Sequence, residues 1–438
     1  CLVLLVGTLN RVMIVELDVP ASLVGIMIAL PVLAAPFRAF IGFKSDTHRS
    51  ALGWRRVPFI WRGSLLQFGG FAIMPFALLL LGGKGAAGES LIWVGQLSAA
   101  LAFLLVGAGV HTVQTAGLAL ATDLTPEESH PRVVGLMYVM LLAGMLVSAL
   151  VYGAALTDFS PGRLVQVVQG VAVATLSLNV VAMWKQETRR PMRGAAPPPP
   201  EPSFAESWAA LRGSGQVVLA LIVVGLGTLA FGMADILLEP FGGQVLDLSV
   251  SATTRLTALF AFGGLIGFAL ASKVAAWGVN AHRVSQAGAL VGVPAFVLVM
   301  IAEPVGITAL FLIGNVLIGF GGALFSHGTL TAAMDSAPAD QAGLALGAWG
   351  AVQATAAGVA IAASAALRDV VTWWMGGGAD GLGNGIAVGY LAVYGVEILL
   401  LVVTVAAVVP LLRARASRAG AAAVPAALAA ASPVVQGD

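Results

Sequence analysis

Charge and cysteine are both scarce in this sequence. Only 10% of its 438 residues are charged, whereas a soluble protein has about 25%. The single cysteine, Cys1, cannot form an internal disulfide, and no cysteine and histidine spacing typical of a metal site occurs. The sequence also lacks a nucleophile constellation and a phosphate-binding glycine loop. We therefore expect no catalytic residues, no bound metal and no enzymatic activity.

Apolar residues are abundant instead, at 59% of the chain, and the mean hydropathy is +0.95. They form long runs without the alternation of a β-strand, and such runs cross a bilayer as helices. The sequence therefore predicts an all-α polytopic membrane protein embedded in a lipid bilayer. The twelve predicted spans are Cys1–Val15, Leu23–Ile41, Val57–Leu81, Leu91–Thr122, Val133–Thr157, Leu164–Trp184, Val217–Leu238, Ala252–Trp277, Val284–Ile301, Val305–Met334, Ala342–Leu367 and Ile386–Leu412.

A polar segment with four consecutive prolines, residues 185–215, divides the spans into two groups of six. It predicts a solvated cytoplasmic linker between an N-terminal bundle, 1–184, and a C-terminal bundle, 216–412. The linker is too short and proline-rich to indicate nucleic-acid binding. Residues 413–438 are rich in Ala and Pro and predict a disordered cytoplasmic tail. Because Cys1 lies inside an apolar run, we expect that the start of the first helix is missing.

An internal repeat supports this division. Two helix bundles related by an axis along the membrane normal are the arrangement of major facilitator transporters. The sequence therefore predicts the major facilitator fold, with twelve transmembrane helices in two pseudo-symmetric six-helix bundles. The repeated residues are Gly42, Phe43 and Gly53, which recur 225 positions later as Gly267, Phe268 and Gly278, and Gly107, Gly109, Asp123, Pro126 and Gly135, which recur 212 positions later as Gly319, Gly321, Asp335, Pro338 and Gly347.

Residues 42–56 form a charged loop between the second and third predicted spans. The loop resembles the segment at the same place in major facilitator transporters, and it predicts a conformational latch that clamps one helix bundle against another. The alternative is an anchor of positive charge at one membrane face. The predicted latch residues are Gly42, Asp46, Arg49, Gly53, Arg55, Arg56 and Asp123, the last at the end of the fourth span.

Lysine and arginine predict the orientation of the chain, because these residues are enriched in cytoplasmic loops. The face that holds the charged loop, the linker and the tail carries 16 of them, and the opposite face carries five. Both termini are therefore expected in the cytoplasm.

Ionisable residues inside apolar spans are costly and mark candidate sites. A polar cluster of Asn10, Arg11 and Glu16 lies near the outer end of the first helix, and the separation of Arg11 and Glu16 by five residues predicts an imperfect contact along an α-helix. In the seventh span, Asp235 and Glu239 share one helix face just before Pro240, Gly242 and Gly243, which are expected to break the helix. The two carboxylates predict either proton coupling or an ion pair with Arg255.

Two histidines, His111 and His327, lie in the corresponding fourth and tenth spans, so both are expected to face one central cavity. A neutral imidazole is a suitable axial ligand for the magnesium of a chlorin ring, and the surrounding Gly and Ala would leave room for a flat macrocycle. The alternative is an interhelical hydrogen bond to a Thr or Gln.

Four stretches of the chain resemble the PucC/LhaA family of purple phototrophic bacteria. They are residues 7–17 (GTLNRVMIVEL), 36–58 (PFRAFIGFKSDTHRSALGWRRVP), 111–123 (HTVQTAGLALATD) and 237–243 (LLEPFGG). The resemblance implies a relative of major facilitator transporters that assembles light-harvesting antenna complexes in the bacterial inner (intracytoplasmic) membrane. It further implies bacteriochlorophyll as a non-covalently bound pigment and antenna polypeptides as partners. The implied pigment-site residues are His111, His327, Gln114, Asn10, Arg11 and Glu239.

Three hypotheses follow. The first is an assembly factor that binds bacteriochlorophyll, or a precursor, and delivers it to antenna polypeptides. The second is a proton-coupled transporter of a small solute, which would require a polar central cavity. The third is a scaffold that assembles antenna complexes without holding pigment.

Overall fold

The computed structural model describes residues 1–33, 41, 45, 50, 53–82, 91–126, 130–187, 215–336, 342–376 and 384–431, and the regular structure within these ranges is helical. Helix α1 has three successive pieces, Val3–Thr8, Leu9–Arg11 and Val12–Glu16, of which the first and last have π-helical hydrogen bonding. The other helices are α2 (Ala21–Leu33), α3 (Val57–Leu81), α4 (Ile92–Asp123), α5 (His130–Ala155), α6 (Pro161–Met183), α7 (Gly215–Ala234), α8 (Leu238–Gln244), α9 (Val250–Ala276), α10 (Ala281–Val305), α11 (Thr308–Ser336), α12 (Ala342–Trp374) and α13 (Asn384–Ala431).

These helices occupy the twelve predicted spans. Ten spans within the described residues are long and apolar enough to cross a membrane, with α7 and α8 together forming one of them, Gly215–Gln244. Helices α1 and α2 occupy the two remaining predicted positions. The protein is therefore an all-helical, polytopic membrane protein, as predicted.

The end of the last span differs from the prediction. Helix α13 continues to Ala431, whereas the sequence predicted a span ending at Leu412 and a disordered tail. Alanine has the highest helix propensity, so an Ala-rich segment extends a helix readily. The described part of α2 ends at Leu33, and most of the predicted linker lies outside the described residues.

Close helix packing follows the internal repeat. Gly107 of α4 packs against Pro31 of α2, and its repeat mate Gly319 of α11 packs against Phe260 of α9. Each glycine lies where a Cβ atom would overlap its neighbour, so only a residue without a side chain permits the two helices to approach this closely. The fourth and tenth spans therefore contact the second and eighth spans in equivalent ways.

A second pair of repeat mates gives the same result for the third and ninth spans. Gly109 of α4 packs against Gly63 of α3, and Gly321 of α11 packs against Gly288 of α10. The two six-helix halves thus share an internal packing scheme, which is the pseudo-symmetry that the repeat predicted.

The two halves contact each other through three sets of helices. Helix α2 packs against α12, α5 packs against α9, and α1 packs against both α8 and α9. We call the end of the molecule with Arg55 and Arg56 the basic-loop end, and the end with residues 245–249 the opposite end.

We expect Gly109→Ala to destabilise the protein by about 1–3 kcal/mol, the usual cost of overpacking a close contact. The added Cβ would lie 2.5 Å from the carbonyl oxygen of Gly63 and 2.8 Å from the backbone nitrogen of Gln67. Thermal unfolding in detergent measures the loss. Gly117→Ala on the same helix is the matched control, because its Cβ would meet nothing within 4 Å. Equal midpoints for the two variants would contradict the packing argument.

Candidate functional site

The seventh span, Gly215–Gln244, is interrupted in its second half. Helix α7 ends at Ala234, a turn follows, and α8 begins at Leu238. Pro240 has no N–H, so the carbonyl of Ile236, four residues earlier, loses its usual helical donor. The side chain of Asn10 replaces that donor, with its Nδ2 atom 2.6 Å from the Ile236 oxygen. The break predicted from Pro240 is present, and the carbonyl that it releases binds a residue of the other half.

Arg11 is buried beside this break, at 4% exposure. Its guanidinium forms an ion pair with Glu16, and its Nη2 atom donates to the carbonyl of Leu248 at 3.2 Å. The expectation of an imperfect Arg11–Glu16 contact was wrong because the helix has π-helical hydrogen bonding here. A π-helix pairs residues i and i+5, which brings two side chains five positions apart onto one face.

Glu239 is also buried, at 5% exposure, and its Oε1 atom accepts a hydrogen bond from Thr257 at 2.6 Å. Gly7 of α1 lies against the same carboxylate, where no side chain would fit. Arg11 is close enough to Glu239 to interact electrostatically with it. The structure therefore brings together Asn10, Arg11 and Glu239 as a polar cluster between the two halves.

Arg255 is not part of this cluster. Its side chain is exposed and lies over Gly153 of α5. Within the described residues it forms no ion pair with Asp235 or Glu239, so the ion-pair alternative was wrong. The prediction assumed that opposite charges in one region meet, whereas Arg255 lies on the face of α9 that contacts α5.

Further hydrogen bonds close the opposite end of the interface between the halves. Ser22 at the start of α2 donates its backbone N–H to Asp369 of α12 at 2.6 Å. Ser251 of α9 donates to the carbonyl of Gly153 of α5 at 2.6 Å. Thr8 of α1 lies 3.1 Å from Thr254 of α9, hydroxyl to hydroxyl. Each of the three sets of helices that join the halves thus has a hydrogen bond between the halves near this end.

Gln244 at the end of α8 is a second polar centre that the sequence analysis missed. Its side-chain oxygen accepts hydrogen bonds from Arg368 at 2.6 Å and from the hydroxyl of Tyr390 at 2.7 Å. These three residues come from α8, α12 and α13, far apart in the sequence and without a common motif. They tie the C-terminal half together at the opposite end.

A cavity of about 480 Å³ lies between the halves, toward the basic-loop end from the break in the seventh span. Such a volume is within the range of small-molecule pockets. Residues of α2, α4 and α5 form one wall, and residues of α7, α9, α11 and α12 form the other. The lining is mostly apolar and aromatic; its polar side chains are His111, Tyr138, Thr228, Asp235, Ser326, His327, Trp349 and Gln353.

Both predicted histidines line this one cavity, from opposite halves of the molecule. Gln114, the third residue predicted on these helices, is half-buried on α4 and is not among the residues that line the cavity. The structure therefore brings His111 and His327 together and leaves Gln114 aside. A role for either histidine in holding a pigment stays a prediction.

The imidazole of His327 is held in place by its neighbours. Its Nε2 atom lies 3.2 Å from the hydroxyl of Ser272, which donates its own proton to the carbonyl of Phe268 at 2.9 Å. With the Ser272 proton on the Phe268 carbonyl, Ser272 accepts from Nε2–H and the lone pair is on Nδ1, which is 3.4 Å from the hydroxyl of Thr331; the opposite tautomer reverses these roles. The ring of Phe268 packs edge-on to the imidazole, with centroids 4.9 Å apart. One ring nitrogen held by a fixed partner is typical of metal-binding histidines, and the Ser272 contact also fits the interhelical hydrogen bond that was the alternative.

Asp235 is the one carboxylate among the described residues that line the cavity, and its side chain is exposed to it. Behind it on α13 is Glu397, a fully buried carboxylate that the sequence analysis missed. The available signal was the same one that selected Asp235, namely an ionisable residue within an apolar run.

The charged loop contacts the end of α4. The carboxylate of Asp123 lies 3.2 Å from Nη2 of Arg55 and 3.0 Å from Nε of Arg56, and Nη1 of Arg56 donates to Ser45 at 2.6 Å. Gly53 has a φ of 79°, and its repeat mate Gly278 has a φ of 77°, so both turns use the left-handed region.

These contacts lie within the N-terminal half, because α3 and α4 both belong to it and pack against each other. In its described part, the charged loop therefore does not clamp one bundle against the other as predicted. Gly42, Asp46 and Arg49 lie outside the described residues, and the latch role stays a prediction.

Glu187, just beyond α6, supports the same loop and was also missed. Its carboxylate accepts hydrogen bonds from the backbone N–H groups of Arg55, Arg56 and Val57 at 2.6–3.1 Å. These groups lie at the start of α3, where helical N–H groups lack partners and the helix dipole favours negative charge. The acidic side chain thus joins the sixth span to the start of the third.

These helices and their pairing define a membrane protein of the major facilitator fold. A crystal structure described as a bacterial homolog to the human lysosomal transporter Spinster matches with a TM-score of 0.69 over 92% of both chains, at 16% identity. That likeness establishes the fold alone.

The sequence comparisons give the family. A family model described as "PUCC protein" matches residues 8–416. Protein PucC of Rhodovulum sulfidophilum is 61% identical over 372 residues, covering 84% of this chain and 82% of that protein. Protein PucC of Cereibacter sphaeroides is 56% identical over 412 residues, covering 94% of this chain and 89% of that protein. The chain belongs to the PUCC protein family.

We expect Asn10→Leu to destabilise the protein by about 1–3 kcal/mol, because the buried carbonyl of Ile236 loses its donor. Thermal unfolding measures the change. Asn179→Leu is the control, since Asn179 donates to the side chain of Ser64 within one half, at 2.9 Å. If both substitutions lower the stability to thermal unfolding equally, the carbonyl of Ile236 does not depend on Asn10 more than an ordinary hydrogen-bond partner would.

We expect Glu187→Gln to speed hydrogen exchange at the amides of Arg55, Arg56 and Val57, because the amide side chain has one acceptor oxygen and no charge. The stability loss should be about 0.5–2 kcal/mol, as for other helix caps. Exchange followed by mass spectrometry measures the local effect. Glu303→Gln, an exposed change on α10, is the control. Unchanged exchange at the start of α3 would show that Glu187 does not hold it.

Proposed function

We propose that the protein is an assembly factor of a phototrophic bacterium that binds bacteriochlorophyll non-covalently in the central cavity. It delivers the pigment, or a precursor, to light-harvesting antenna polypeptides within the inner (intracytoplasmic) membrane. Both termini lie in the cytoplasm in this proposal. The observation that carries it is a mostly apolar and aromatic cavity with two histidines from opposite halves.

The lining residues fit a flat magnesium-containing ring. Neutral imidazole is a good metal ligand. In the tautomer in which Nε2–H donates to Ser272, the lone pair of His327 is on Nδ1, which lies 3.4 Å from the hydroxyl of Thr331. Glycines in the cavity lining leave flat surface between the aromatic rings, and at Gly350 a Cβ would meet nothing within 4 Å. Apolar and aromatic walls suit a macrocycle, since burying its surface is favourable.

The transporter hypothesis has less support. A soluble solute needs polar groups to replace its water, because an unpaired buried polar group costs free energy. Among the described residues that line this cavity, Asp235 is the one carboxylate, and most of the remaining lining is apolar or aromatic. The similarity to proteins named PucC also favours a role in the photosynthetic membrane.

We expect the protein purified from pigmented cells to carry the absorption of a chlorin, and His111→Leu or His327→Leu to lower the ratio of pigment to protein at least several-fold. Each substitution removes a candidate magnesium ligand from the cavity. His282→Gln is the matched control, because this buried histidine lies at the start of α10, away from the cavity. Gly350→Leu should also lower the ratio by filling the cavity.

A colourless protein that still co-purifies antenna polypeptides would contradict pigment binding and support the scaffold hypothesis. Deletion of the gene in a phototroph tests both, since normal antenna levels would exclude a role in assembly.

A further inference from the structure

Glu397 of α13 is the most deeply buried carboxylate among the described residues. It is 0% exposed, and neither of its oxygen atoms has a hydrogen-bond partner in the part of the chain that the structure describes. A bare carboxylate in such a place is among the most costly groups that a membrane helix can carry. Its retention there requires a partner that balances its charge.

The groups around Glu397 do not supply that charge. Asp235, in the turn after α7, is close enough to interact electrostatically with it, and this interaction is repulsive. Tyr394, one turn earlier on α13, also lies within electrostatic range; it is 0% exposed and its hydroxyl has no hydrogen-bond partner among the described residues. The two carboxylate oxygens of Glu397 and the hydroxyl of Tyr394 are thus three buried polar atoms without a hydrogen bond among the described residues, and they lie close to Asp235.

The helices packed against α13 place their charged residues elsewhere. Glu239 of α8 is bound to Thr257, and Arg368 of α12 is bound to Gln244 and Asp369. Helix α10 carries its ionisable residues near its two ends, as His282, Arg283 and Glu303. Within the described residues, no cation forms a salt bridge with Asp235 or Glu397.

The break in the seventh span adds negative potential. Helix α7 ends at Ala234, directly before Asp235, and the C-terminal end of a helix carries a partial negative charge. Two carboxylates that interact electrostatically and a helix end therefore lie in one apolar region. In transporters, interrupted helices of this kind bind small cations.

We propose that Asp235 and Glu397 form a proton-binding pair that holds one proton between them at the break in the seventh span. A proton fits better than a metal ion, because the described residues contain no group of three His, Cys, Asp or Glu side chains able to hold a metal. Two carboxylates that share a site cannot both be ionised at low cost, and one shared proton removes the repulsion. Asp235 is exposed to the cavity and Glu397 is sealed, so the proton enters from the cavity through Asp235.

Infrared spectroscopy of the purified, pigment-free protein tests this pair. We expect the carbonyl band of a protonated carboxylic acid at neutral pH, lost in Glu397→Gln and lost or shifted in Asp235→Asn. Glu303→Gln, on an exposed residue of α10, is the matched control and should leave the band unchanged. A band that persists unshifted in both pair variants would overturn the proposal.

Two further measurements keep the test decisive. Glutamine copies the protonated, neutral form of Glu397, so Glu397→Gln should keep the thermal midpoint of the parent protein, and a loss of folding would contradict a protonated Glu397. Spectra in sodium and in potassium should be the same, and a band that disappears in sodium would assign the pair to a metal cation. Because no pigment is present, these outcomes are independent of the proposed pigment binding.

Discussion

A membrane helix must satisfy its own backbone, because lipid offers no hydrogen bonds, and this constraint governs the centre of the molecule. Pro240 leaves the carbonyl of Ile236 without a helical donor, and Asn10 from the other half supplies one. The first and seventh spans are therefore joined by a hydrogen bond that neither can replace from within itself. Arg11 and Glu239 lie beside this bond. Further hydrogen bonds join the two halves near the opposite end.

The position of the cavity follows from the hydrogen bonds that join the two halves near the opposite end. The hydrogen bonds between the halves cluster near the opposite end, and the cavity with His111 and His327 lies toward the basic-loop end from them. A ligand in the cavity therefore touches both halves on one side of the tied region. Whatever the cavity holds is in contact with α4 and α11 together, so its binding and the arrangement of the halves are linked.

The sequence predicted those features that depend on the chain itself. The spans follow from apolar runs, and the pseudo-symmetric packing of Gly107 and Gly319 follows from a repeat within the chain. The partners of single polar side chains were harder to predict. Gln244 meets residues more than 100 positions away, and Arg255 contacts α5 rather than the nearby carboxylates. The Arg11–Glu16 contact required knowledge of local π-helical hydrogen bonding, which no periodicity in so short a segment reveals.

The hydrogen-bond acceptors at the interface between the halves affect which substitutions the family can accept during evolution. Across the interface, Asn10, Arg11 and Ser251 donate to the main-chain oxygens of Ile236, Leu248 and Gly153. A backbone oxygen survives any substitution at its own position. Evolution is therefore free to exchange Ile236 and Leu248 for residues of similar size, while the three donors on the facing helices must keep their chemistry.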